Sequence, residues 1–161
     1  MEMISVRIIR GELEDLQAIR DLFNEYSHSL AFGLEFQNFA VEIATLPGEY
    51  TPPYGELLIA KAGRNVVGCV GLRKFSEEAC EMKRLYVRTA FRGRKIGRDL
   101  VLSLIECARQ KGYREMYLDT VPSMIEAQNL YESLGFVSIP PYRHNPVAGA
   151  RFMRLNLKCP R

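Results

Sequence analysis

The strongest constraint on this chain is the change of hydrophobic period between Glu81 and Gly112. Glu81 to Arg88 reads as a strand ending in Leu85-Tyr86-Val87. A glycine-bearing segment, Arg92 to Gly97, follows it. Apolar residues then recur at helical spacing as Ile96, Leu100, Val101, Leu104, Ile105 and Ala108, and Gly112 closes the run. A stripe this wide must be buried against another layer, so the passage predicts a strand, a tight turn and a helix packed on a sheet.

The rest of the sequence extends the pattern. Met3 to Arg10 predicts a first strand, with Ile4, Val6 and Ile8 alternating. Glu14 to Leu30 and the shorter Phe36 to Leu46 carry helical spacing. Pro47-Gly48 and Pro52-Pro53 break regular structure, so residues 47–55 predict a loop that borders a pocket. Leu57 to Ala60 and Val66 to Leu72 flank a Gly63-Arg64-Asn65 turn and predict a hairpin. Met116 to Val121 predicts a strand. A helix should follow, capped by Ser123 with Glu126 in a capping box and ending at Leu134-Gly135. Phe136 to Ile139 and Phe152 to Leu157 predict closing strands. Short turns imply antiparallel neighbours and helical crossovers imply parallel ones. The expected architecture is a three-layer αβα sandwich (fold class α/β) around a mixed, mostly antiparallel sheet with a parallel central pair.

At 161 residues the chain suits one domain, expected to span 1–161. Its 47% apolar and 25% charged residues fit a globular protein and exclude a disordered or collagenous one. Neither a signal peptide nor a membrane-length apolar run is read from the sequence. The four cysteines form no CxxC pair, so they are expected to be reduced thiols in a cytoplasmic protein, with no metal site.

Net charge is only +3, but Lys83 to Arg98 holds seven basic residues and no acidic one. A local basic cluster in a nearly balanced chain points to one anionic ligand. The cluster includes Arg92-Gly93-Arg94-Lys95-Ile96-Gly97-Arg98, set between a strand and a helix. First-turn amides and the helix dipole favour an anion there, and glycines let it approach the backbone. Neither GxxxxGK[ST] nor GxGxxG is present, which argues against P-loop and dinucleotide folds. A solvated basic turn remains the alternative on charge and glycine alone. Downstream, Met124, Ala127, Tyr131 and Leu134 share one helix face, and Tyr131 is either a core residue or a phenol offered to a leaving group.

These two segments resemble the signatures of the GNAT superfamily of acyl-CoA-dependent N-acyltransferases. The pyrophosphate motif, Gln or Arg followed after two residues by Gly-x-Gly/Ala, is matched by Arg92 to Gly97, with Lys95 in place of the first glycine. Ala127 to Phe136 matches Ala-x-x-Leu-Tyr-x-x-x-Gly-Phe, with Met124 where an Asn is common. The resemblance implies acetyl-CoA as co-substrate and no metal. Leu85, Tyr86 and Val87 would pair with the pantetheine arm, and Arg92, Gly93, Arg94, Lys95, Ile96, Gly97 and Arg98 would hold the phosphates. Asn129 would stand in for the missing Asn.

The implied reaction is acetyl transfer to a primary amine by direct attack in a ternary complex. Only about one alkyl amine in a thousand or fewer is neutral at pH 7, so a base is needed. Glu81 is the candidate base, directly or through water, with surface pairing to Lys83 or Arg73 as the alternative. Tyr131 is the candidate acid for the thiolate, and a backbone N–H near Tyr86 or Val87 would polarise the carbonyl. The expected partner is a small-molecule or peptide amine, with no nucleic acid and no membrane; a homodimer is the guess for assembly. Tyr26 to Phe39, Glu35, Tyr50 to Tyr54 and Pro140 to Pro146 are candidate acceptor-pocket walls. His28 and His144 are expected at the surface. A non-catalytic acyl-CoA sensor is the rival reading.

Overall fold

The computed structural model describes residues 5–30 and 38–158. Seven strands form one sheet: β1 (Val6–Arg10), β2 (Glu56–Ala62), β3 (Asn65–Lys74), β4 (Ala79–Val87), β5 (Glu115–Thr120), β6 (Val137–Ile139) and β7 (Arg151–Asn156). Their spatial order is β1-β2-β3-β4-β5-β7-β6. Every neighbouring pair is antiparallel except β4 and β5. This is the expected mixed sheet with its parallel central pair.

Four helices cover it: α1 (Leu16–Ser29), α2 (Phe39–Ala44), α3 (Ile96–Gln110) and α4 (Ile125–Ser133). The six stripe residues of α3 are all buried, within a core that also takes in Val67, Val70, Leu72, Met82, Met116 and Leu118. Tyr131 of α4 joins this core. On the opposite face Ile19, Leu22 and Phe23 of α1 pack on Leu57, Ile59 and Cys69. Glu56, only 2% exposed, takes Arg10 at 2.8 Å and Lys111 at 3.4 Å, tying β1, β2 and the end of α3 together.

Two local expectations need correction. Ser123 does not cap α4: the helix begins one residue later with Met124 at its N-cap, and no side chain caps it. The loop 47–55 does not border the cleft. Tyr50 turns inward, meets Phe23 edge-on at 6.0 Å and occupies the space a side chain on Gly71 would need. Lys95 adopts φ +62°, the left-handed conformation that explains the usual glycine there. Glu35 lies outside the described residues, as does Cys159. His28 and His144 are exposed, as expected.

A bulge interrupts β4. Its register with β3 runs from Gly71 opposite Lys83 to Cys69 opposite Tyr86, leaving Arg84 and Leu85 against Val70 alone. Arg84 has φ +63°, and its carbonyl accepts a hydrogen bond from Cys69 Sγ at 3.4 Å. An extra residue reverses which face the following side chains take. Before the bulge Glu81 and Lys83 lie on the α1 side; after it Leu85 and Val87 pack with the α3-side core.

Candidate active site

β4 and β5 pair for only three residues, Ala79 to Glu81 against Glu115 to Tyr117. Beyond these the strands part, and a cleft of about 690 Å³ opens beside them. Leu85, Tyr86 and Val87 form one wall. Arg92, Gly93, Lys95, Ile96, Gly97 and Arg98 form its end, and Ser123 to Ala127 face them across it. Nine of the eleven residues expected at the cofactor are therefore brought together. The other two do not line it: Arg94 stacks at 5.2 Å on Phe91, itself a cleft residue, and Asn129 is exposed on α4.

The broad end suits a polyanion. Neither α3 nor α4 has a side-chain cap, so their first-turn amides are left for a ligand. A side chain built on Gly93 would meet nothing within 4 Å, and one on Gly97 would only touch Val87 at 3.9 Å. Protein packing therefore does not demand either glycine's lack of a side chain, and the space suits close approach of a phosphate. Arg92 is braced for this position: its Nε donates to the Val87 carbonyl at 2.9 Å, and its guanidinium lies 5.6 Å over the Tyr86 ring.

The narrow end leads into a polar chamber of about 40 Å³ between the parted strands. Tyr26, Leu30, Leu85 and Met124 line both spaces, so the chamber and the cleft lie side by side. Tyr131 lines the chamber, and burial pushes its hydroxyl well above the ordinary phenol range. Lys83 and Asp119 line it too, with Nζ and Oδ1 3.6 Å apart. Burial lowers the Lys83 ammonium to about 8, against the opposing pull of Asp119 and Glu81. Asn145 donates to the other Asp119 oxygen at 3.2 Å. The Thr120 hydroxyl is buried at this site with no hydrogen-bond partner.

Glu81 is wholly buried, not a surface carboxylate, and it lines neither space. Its Oε1 accepts from Arg73 at 2.9 Å and Arg143 at 2.8 Å, and its Oε2 accepts from Tyr142 at 2.7 Å. The expected base is thus enclosed by a clamp that holds residues 142–143 on the sheet. The chamber's carboxylate, Asp119, was not singled out by sequence reasoning. Its signal was available: Asp119 lies inside a central strand beside Leu118, with its side chain nearly buried, where a charge is costly unless it is paired or serves a site.

Similarity to known proteins agrees with this geometry. Residues 16–136 match the model of the acetyltransferase (GNAT) family. The chain belongs to the GNAT family. A relative named an uncharacterized N-acetyltransferase of Schizosaccharomyces pombe is 39% identical over 146 residues, covering 89% of this chain and 90% of its own. A GNAT acetyltransferase from Staphylococcus aureus Mu50 superposes with a TM-score of 0.78 at 23% identity, over 96% of this chain and 100% of that one. A putative acetyltransferase from Salmonella typhimurium, solved with its cofactor acetyl-CoA, superposes at 0.68 with 22% identity, over 94% of each chain. Among the described residues of this GNAT chain, no cluster of side chains suits a metal ion and no helix is long and apolar enough to cross a membrane.

Proposed function

We propose that the chain transfers an acetyl group from acetyl-CoA to a primary amine by direct attack in a ternary complex. The observation that carries this reading is the adjacency of the two spaces. A cationic cleft ending at an uncapped helix shares four wall residues with a chamber lined by a phenol and a carboxylate. Acetyl-CoA would supply the activated thioester. Arg92, Lys95, Arg98 and the α3 amides would bind its phosphates, and the exposed backbone of Leu85 to Val87 would align its arm.

Asp119 takes the place first given to Glu81. It lines the chamber, accepts from Asn145 on one oxygen and faces the Lys83 ammonium with the other, so it already holds a cation where an amine would lose its proton. Glu81 instead holds Tyr142 and Arg143 on the sheet, just before the chamber's Asn145. Tyr131 donates to the departing sulfur. Its raised pKa keeps it protonated through the neutral range, so it offers a hydrogen bond more readily than a whole proton. The narrow chamber favours a slender, unbranched amine on a small molecule or peptide. The free thiols Cys69, Cys80 and Cys107 support a reducing, cytoplasmic setting.

Calorimetry with acetyl-CoA tests the reading, with ATP and the Arg92→Glu variant as controls. Binding that the variant loses and ATP does not reproduce is expected. A panel of primary amines, followed by thiol release, then finds the acceptor. No binding at high protein concentration would sink the proposal.

A further inference from the structure

Lys83 presents a primary amine at the chamber beside the cleft. Its side chain rises from β4 just before the Arg84 bulge and, like Leu85 beyond the bulge, lines that chamber. Its ammonium faces Asp119 across the chamber, and both groups line the same space as Tyr131. The side chain is 3% exposed. Its described approach is thus through the chamber, not from open solvent.

We infer that Lys83 is an internal acceptor, acetylated by the chain's own active centre. This rests on the acetyl-CoA reading above. In the step, the Lys83 ammonium first gives a proton to Asp119. The neutral amine then attacks the thioester carbonyl, the new C–N bond forms and the C–S bond breaks. The sulfur leaves hydrogen-bonded to Tyr131 and departs as the thiol, taking up a proton. The products are Nε-acetyl-lysine and CoA, with one proton released overall and no oxidant or reductant needed.

Besides the placement of Lys83, burial supports the availability of its amine: it holds the ammonium at about 8, so a usable fraction is neutral near physiological pH, unlike an ordinary lysine. Among the described charged groups acting on it, Asp119 and Glu81 favour the ammonium, and Arg84 and Arg73 oppose it. The consequence is self-limitation. Acetylation removes the cation paired with Asp119 and places an acetamide in a chamber with room for a few waters. The modified chain would admit the cofactor and exclude the acceptor amine.

The test is to incubate the purified full chain with acetyl-CoA, in the absence of any acceptor, and follow intact mass and peptide maps. One added acetyl group is expected, with Lys83 modified roughly tenfold faster than any other lysine, reflecting its fixed position. The Arg92→Glu variant and the Lys83→Arg variant, with folding checked by circular dichroism, should both lose that mark. If acetyl-CoA binds by calorimetry yet Lys83 stays unmodified, the inference falls and the acetyl-CoA reading stands. Equal labelling of Lys83 in the parent and in Arg92→Glu would mean solution chemistry and would also overturn it. Absence of binding removes both together. A second readout needs no cofactor: the Lys83 amine, followed by NMR after reductive ¹³C-methylation, should titrate near 8. A midpoint near the ordinary 10.4 would overturn the availability of the amine.

Discussion

Arg84 donates two hydrogen bonds of 2.9 Å to Glu42, pinning α2 to the one residue of β4 in the left-handed conformation. Their side chains are 2% and 12% exposed, so the pair is buried. Removing one partner leaves an uncompensated charge, which costs about 3 kcal/mol or more. Glu42→Gln should lose that much in urea unfolding. It should also reduce turnover, because the bulge that positions Leu85 loses its anchor. A variant as stable as the parent would detach α2 from control of the bulge.

Lys95 and Gly93 give opposite expectations for one short turn. Lys95 is held at φ +62°, which costs an L residue about 1 kcal/mol. Lys95→Gly should therefore be at least as stable as the parent, with acetyl-CoA binding weakened only by the lost charge. Gly93→Ala puts a side chain at φ +82° and should lose about 1 kcal/mol. Paired denaturation curves decide both.

Removing the Tyr131 hydroxyl should separate rate from binding. Tyr131→Phe keeps the ring that packs against Phe136 at 5.6 Å. Turnover should fall by roughly 10²-fold, the scale of a positioned proton or hydrogen-bond donor, while acetyl-CoA affinity changes little. Equal losses in both would assign Tyr131 to the core alone.

Glu81 and Asp119 can be told apart by comparing stability with rate. Glu81→Gln should lower stability in urea unfolding by freeing Tyr142 and Arg143 from the sheet, with turnover changed only a few-fold. Asp119→Asn should lower turnover by roughly 10²-fold while acetyl-CoA affinity changes little. The reverse pattern would restore Glu81 as the base.

Lys83 should also mark the stability curve. Its folded-state value, about 8, lies below the ordinary lysine range. Below pH 8 both states hold the proton, and the penalty of burying the ammonium is fully present. Between about 8 and 10 the unfolded chain binds more protons, so stability rises with pH, by up to the order of 3 kcal/mol for a shift of this size. Lys83→Met should lack that rise. Parallel slopes for parent and variant in urea unfolding would contradict the burial penalty.

Much of this architecture was legible because its parts are periodic. The α3 stripe named its six buried residues, and the hairpin and crossover spacings implied the mixed sheet. The glycine-bearing basic turn located the broad end of the cleft. What escaped depends on contacts distant in sequence. Glu81 reads in sequence as a base, or else as a surface carboxylate paired with Arg73 or Lys83; the Arg73 pair is present, but its burial also depends on Arg143 and Tyr142, 62 and 61 residues away. Tyr50 looked like part of a pocket rim because nothing local reveals the seat above Gly71. Asp119 and Lys83 come together only where two strands part, and the bulge at Arg84 that decides which side chains face that gap has no sequence period.

The parting of β4 from β5 has a further consequence. Free strand edges on the outside of a sheet invite other chains to pair with them, and proteins ordinarily blunt such edges. Here the unpaired stretch lies in the middle of the sheet, with a strand on either side and helices over its faces. An edge enclosed in this way keeps backbone donors and acceptors available while leaving less room for another strand than an outer edge does, so a ligand that pairs with it would be sorted by girth before charge.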